Sequence, residues 1–166
     1  GGLTVLAITN SVPLAYAKLS PIGLDIDKRH EAAVLFVKEN NLQGNMWNNY
    51  DIGSYLEWAL PEYETFVDGR PEAFPVEFFK DVYKPMQEKQ EIWNQKIEKY
   101  GVEWVFAALT DATPWFKKWW VMMQNNSGWK LVYVDDYTAI LVKKDGINNQ
   151  IKAAGRAKTM EILKIF

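Results

Sequence analysis

Apolar positions along the chain switch repeatedly between helical and strand spacing. Ala33, Phe36 and Val37 recur at helical intervals behind Asp27, which is placed to cap a helix, and Asn40-Asn41 with Gly44 supplies the stop. Residues 45–49 form a short strand candidate. Ile52, Tyr55, Leu56 and Ala59 then fall at i, i+3, i+4 and i+7, so a second helix is expected with Asp51 at its N-cap and Pro61 as its end. Residues 64–67, Glu-Thr-Phe-Val, read as a second strand.

Helical spacing returns after Pro75 in Phe78, Phe79, Val82, Tyr83 and Met86, and continues through Trp93, Ile97 and Tyr100 to a stop at Gly101; Pro85 predicts a kink or break. Residues 102–109 are almost wholly apolar, as expected of a strand covered on both faces. Thr113-Pro114 offers an N-cap and a first-turn proline to a helix carrying Trp115, Phe116, Trp119, Trp120 and Met123, which 125–128 ends. Residues 129–134 and 137–142 flank Asp135-Asp136 as a hairpin. Residues 147–166 read as a weakly amphipathic, locally basic helix docked by Ile151, Met160 and Leu163.

This order predicts an α/β fold: a small mixed sheet of about five strands, three parallel plus a C-terminal antiparallel hairpin, flanked by helices. The organisation is a lead-in over 1–26, the α/β domain over 27–144 and a C-terminal helical tail over 145–166.

Composition removes several function classes. A chain of 166 residues that is 48% hydrophobic can bury one sizeable core. Its net charge of −2, with no basic stripe, gives no reason to expect nucleic acid. There are no cysteines, which excludes disulfides, thiolate metal sites and cysteine nucleophiles. The single histidine, His30, excludes a multi-histidine metal site and is expected to be solvated or capping on a first helical turn. The longest apolar runs, such as 32–37 and 105–109, fall far short of the roughly 20 residues of a spanning helix. The opening, Gly1-Gly2-Leu3-Thr4-Val5, has neither an initiator methionine nor a basic leader, so it reads as a cut in a longer chain.

In an open parallel sheet, ligands bind beyond the carboxyl ends of the strands. With three parallel strands, Asn48, Asn49, Tyr50 and Asp51 follow the first, Asp68 and Arg70 the second, and Thr110 and Asp111 the third, all on one sheet edge. Three readings are open for that edge. The polar groups cap and brace their loops; or the three aspartates hold Mg²⁺ or Ca²⁺ through hard oxygen ligands; or Asn, Tyr, Asp and Arg bind hydroxyls of a sugar or peptide. Eight tryptophans offer stacking faces for sugars, although Trp115 and Trp119, at helical spacing, also suit a core. No P-loop, G-x-G-x-x-G, G-x-S-x-G or H-E-x-x-H motif is present.

The stretch WNNYDIGSYLEWALPEYETFVDGRPEAF at 47–74, then YGVEWVFAAL and WKLVYVDDYTAILVKK, resembles the soluble C-terminal domain of bacterial polytopic membrane proteins of the C-type glycosyltransferase group. The resemblance rests on Asn49, Tyr50, Asp51, Gly53, Tyr55 and Leu56, on Phe66, Val67, Asp68, Gly69 and Arg70, and on Trp129, Leu131, Val132, Tyr133 and Asp135. Ser54 stands where that group often has a second glycine. More distantly, residues 47–53 resemble the W-W-D-Y-G segment of oligosaccharyltransferase catalytic subunits, from which they depart at Asn48, Asn49 and Ile52.

The resemblance implies an extracytoplasmic domain attached to the transmembrane portion of the same polypeptide, with a membrane surface nearby. Catalysis and the polyprenyl-phosphate sugar donor, with any divalent metal, would belong to that portion. The fragment alone is then expected to be inactive and free of cofactors, gripping a glycan or peptide acceptor through Asn49, Tyr50, Asp51, Asp68, Arg70 and Asp111. A non-catalytic binding or assembly domain of a polytopic membrane protein is the alternative.

Overall fold

The computed structural model of the chain describes residues 28–162. The lead-in, the expected Asp27 cap and Leu163 lie outside the described residues. Helix α1 runs Glu31–Asn40 and closes on Asn41, whose left-handed backbone (φ 48°) returns its N–H to the Lys38 and Val37 carbonyls. Strand β1 (Asn45–Asn48) and a 3₁₀ turn, Tyr50–Ile52, lead into α2 (Gly53–Ala59). After a long loop come α3 (Val76–Phe78), a π-helical turn at Phe79–Tyr83, α4 (Lys84–Glu88) and α5 (Gln90–Lys99). Strand β2 (Val102–Ala108), α6 (Pro114–Gln124), the hairpin β3 (Trp129–Val134) and β4 (Thr138–Lys143), and α7 (Gly155–Ile162) complete the order.

The sheet has four strands in the order β1-β2-β4-β3, with β1 parallel to β2 and the other neighbours antiparallel. Fewer strands form than expected because residues 64–67 are not a strand. Their backbone is satisfied by a side chain instead. Asn48, wholly buried at the end of β1, accepts the Phe66 N–H on Oδ1 at 2.8 Å and donates from Nδ2 to the Val67 carbonyl at 2.7 Å. One amide thus makes the donor and acceptor bonds that a strand neighbour would otherwise make.

Alternation along β2 divides the interior into two layers. Trp104, Phe106 and Ala108 meet Phe36 and Val37 of α1 and Leu56 of α2. Val105 and Ala107 face Met86, Trp93 and Trp119 from the other helices. Trp47 stacks on Trp119 at 5.0 Å and meets Trp93 edge-on at 5.3 Å, anchoring the second layer. Helices therefore cover both faces, which explains the nearly unbroken apolar run of β2.

His30 is buried rather than solvated, with Nδ1 2.7 Å from the Thr138 hydroxyl and its ring among Tyr55, Phe106 and Tyr137. It precedes α1 at the cap position without making a side-chain cap bond. At the hairpin, Asp135 Oδ1 accepts the backbone N–H groups of Tyr137 and Thr138, so the aspartate side chain stabilises a connection that lacks glycine. The expected helix over 147–166 starts only at Gly155. The segment before it runs along β3, where the Ala154 N–H bonds to the Val132 carbonyl and Lys130 Nζ bonds to the carbonyls of Asn149 and Ile151. The Ala154 bond answers a carbonyl on the β3 edge of the sheet, and the Lys130 bonds hold the segment beside it.

Candidate functional site

The carboxyl ends of the parallel pair carry two side-chain braces. Asn48 ties β1 to the Phe66–Val67 backbone, as described. Asn49, also fully buried, donates from Nδ2 to the Ala108 carbonyl (3.1 Å) and to Asp111 Oδ2 (3.1 Å), while its Oδ1 accepts the Ala108 N–H (2.8 Å). Asp111, with its other oxygen on the Thr113 N–H at 2.9 Å, shapes the approach to α6. Thr113 caps that helix by accepting the Phe116 N–H at 3.3 Å, as the Thr-Pro pair predicts.

Above these braces lies a cavity of about 510 Å³. Tyr50, Asp51, Asp111 and Thr113 approach it from the strand ends. The segment Val76, Phe79, Lys80, Tyr83 and Lys84 closes it from the side, and Trp115 adds a face from the start of α6. Its volume falls in the range of small-ligand sites, and its walls are mainly ring and aliphatic carbon.

The side wall owes its shape to the π-helical turn. There the Lys84 N–H reaches back five residues to the Phe79 carbonyl. Pro85 has no N–H to return to Asp81, and its ring would press on that carbonyl in an α-helix, so the chain widens ahead of it. Tyr83 is buried and fixes the wall to β1, accepting the Tyr50 N–H on its hydroxyl at 2.7 Å; burial raises its phenol above the ordinary tyrosine value. Phe79 packs edge-on against both Tyr50 and Tyr83 at 5.9 Å. The Lys84 ammonium lies 5.1 Å from the centre of the Trp115 ring.

Asp51 does not cap α2; no side-chain cap bond forms at that helix start. Its carboxylate stands exposed at the cavity rim, with no hydrogen bond or ion pair among the described residues. Partial loss of water raises this carboxyl above its ordinary value, and the neighbouring Asp111 charge raises it further.

Asp68 and Arg70 go elsewhere. Asp68 lines a separate depression of about 340 Å³ with Glu57, Tyr63 and Thr65, and Arg70 is tied to two of those residues. Arg70 Nη2 bonds Asp68 Oδ2 at 2.6 Å and Glu57 Oε1 at 2.9 Å, and the Arg70 N–H bonds Asp68 Oδ1 at 2.8 Å. These guanidinium and backbone contacts hold the buried Asp68 carboxyl below its usual value.

The structure therefore brings Tyr50, Asp51 and Asp111 to one cavity with Asn49 buried beneath them, and it sets Asp68 at another hollow with Arg70 bonded to it. Within the first group, Asn49 and Asp111 act as braces, while Tyr50 and Asp51 are available to a ligand. Trp115, weighed as a stacking face or a core residue, lines the cavity, and Phe79, Lys80 and Lys84 are the residues that sequence reasoning missed. Their signal was indirect: a proline inside a helical pattern, which marked the widened turn without revealing its direction. No group of three or more histidine or carboxylate side chains among the described residues could hold a metal ion.

No helix among the described residues is long and apolar enough to cross a membrane. No protein-family model matches this chain, and no curated protein is detectably similar to it.

Proposed function

We propose that the chain is the extracytoplasmic acceptor-recognition domain of a bacterial, membrane-bound glycosyltransferase-like protein, and that its acceptor is a saccharide. The transmembrane part of the same polypeptide would carry catalysis, the polyprenyl-phosphate sugar donor and any divalent metal. The domain would lie against the membrane surface and cover that site from the aqueous side.

The observation that carries this reading is the cavity at the strand ends, where the half-buried rings of Tyr50, Phe79 and Trp115 accompany an unpaired carboxylate at Asp51. Aromatic faces suit the C–H surfaces of a sugar ring, and a carboxylate accepts two hydroxyl hydrogen bonds at once. Buried braces at Asn49, Tyr83 and Asp111 hold these groups in place before a ligand arrives, which lowers the ordering cost of binding.

The test is a titration of the 166-residue chain with mono- and disaccharides, read as amide and indole NMR shifts. Saturable shifts are expected at Tyr50, Phe79 and the Trp115 indole, and Trp115→Ala should remove them without altering the fold. In the intact membrane protein, Asp51→Ala should lower acceptor use. If no saccharide moves the cavity resonances, the reading fails.

A further inference from the structure

The cavity's charges are segregated. Asp51 and Asp111 stand at the strand-end side, and Lys80 and Lys84 belong to the helical wall. At the strand end, Asp111 is buried, and its hydrogen bonds come from neutral donors, the Asn49 amide and the Thr113 N–H. Among the described residues its charge has no cationic partner, and Asp51 beside it has none either. Lys80 and Lys84 likewise form no ion pair among the described residues, and the Lys84 ammonium rests on the Trp115 face.

A neutral ligand would leave both charged ends without an ionic partner. An anionic ligand would meet Asp51, and a cationic one would meet the two lysines. Only a ligand with a positive and a negative group at opposite ends answers both.

We propose that the cavity selects a zwitterionic saccharide, an amino sugar that presents its ammonium to Asp51 and an anionic substituent to Lys80 and Lys84. The sugar ring lies between them against Tyr50, Phe79 and Trp115. This inference rests on the saccharide reading above and adds the charge pattern of the ligand. Lys84 moves from the Trp115 face to the anionic group as the ring takes its place, so occupancy changes the environment of the Trp115 indole.

Four probes separate the terms: glucose, glucosamine, glucose 6-phosphate and glucosamine 6-phosphate, titrated into the full chain with the Trp115 indole resonance as readout. Glucosamine 6-phosphate should bind about tenfold or more tighter than either singly charged sugar, since each charge adds an ionic hydrogen bond. Asp51→Asn should erase the advantage of the amino group and spare that of the phosphate. Lys80→Gln with Lys84→Gln should do the reverse.

If glucose binds as well as glucosamine 6-phosphate, or N-acetylation of the amine changes nothing, the zwitterion proposal is overturned while saccharide recognition stands. If none of the four sugars moves the Trp115 indole and neutral di- and oligosaccharides also fail, both fall together. Phenylalanine, a zwitterion with no sugar ring, serves as a further control. Tighter binding of phenylalanine than of glucosamine 6-phosphate would assign the cavity to an amino acid and overturn the proposal.

Discussion

Asn49 pairs with the backbone of Ala108 through both halves of its side-chain amide, donating to the carbonyl at 3.1 Å and accepting the N–H at 2.8 Å. The side chain continues the β1–β2 pairing just past the end of the β1 ladder, and its second donor bond fixes Asp111. Asn49→Ala would leave buried donor and acceptor groups unanswered, at a cost of about 2–4 kcal/mol in denaturant unfolding. Asn49→Asp should be no better, because it retains the acceptor but sets a carboxylate against Asp111 and the Ala108 carbonyl. An Asn49→Ala protein of unchanged stability would show that this brace is dispensable.

Gly53 opens α2 directly beneath the Val67–Asp68 backbone. Its backbone is ordinary right-handed helix (φ −55°), so conformation does not demand glycine there; space does. A Cβ at this position would collide with the Val67 carbonyl oxygen and the Asp68 Cα, both backbone atoms with little freedom to move. Alanine in place of a helical glycine ordinarily gains about 0.5–1 kcal/mol. Gly53→Ala should instead lose about 1–3 kcal/mol by overpacking, measurable as a lowered unfolding midpoint.

These two contacts also mark what the sequence could and could not reveal. The β2 strand, the hairpin and α6 were legible because their signals are local: an apolar run, paired strands around a polar turn, and a Thr-Pro start. Residues 64–67 misled because four residues of strand composition carry no record of their partner, which is the amide of Asn48 and not a strand. Asp51 misled because a short polar side chain before an apolar helix is also what a rim residue looks like. The cavity was hidden for a third reason. Its second wall depends on the π-helical turn before Pro85, and periodicity assigns residues to a helix without showing where one widened turn rotates its side chains.

Asp68 and Asp51, both expected on one sheet edge, should respond to pH with opposite signs. Asp68 is depressed by its bonds to Arg70, so its ionised form favours the folded state. That stability is fully present above the ordinary aspartate value of 3.8 and is lost as pH falls through the lowered folded value. Asp68→Asn should therefore lower the thermal midpoint at pH 7, and its deficit relative to the parent chain should shrink as the solution is acidified below the ordinary value. A deficit that stays constant down to that range would mean the loss comes from packing and not from the charge.

For Asp51 the sign reverses. Its carboxyl is raised above the ordinary value of 3.8 by desolvation and by Asp111, so the folded state binds its proton more tightly than the unfolded chain does. The ionised form then carries a cost that is fully present above the raised value and disappears below the ordinary one. Asp51→Asn removes the charge at nearly constant shape, and it should raise the melting midpoint at pH 7 and match the parent chain in acid. A ligand ammonium against Asp51 would relieve the same cost, so a bound amino sugar should lower the apparent pKa of this carboxylate in an NMR titration. An Asp51→Asn protein that melts below the parent at neutral pH would mean that the carboxylate stabilises its loop. Asp51 would then be a structural residue, and recognition at the cavity would rest on the aromatic faces and the lysines.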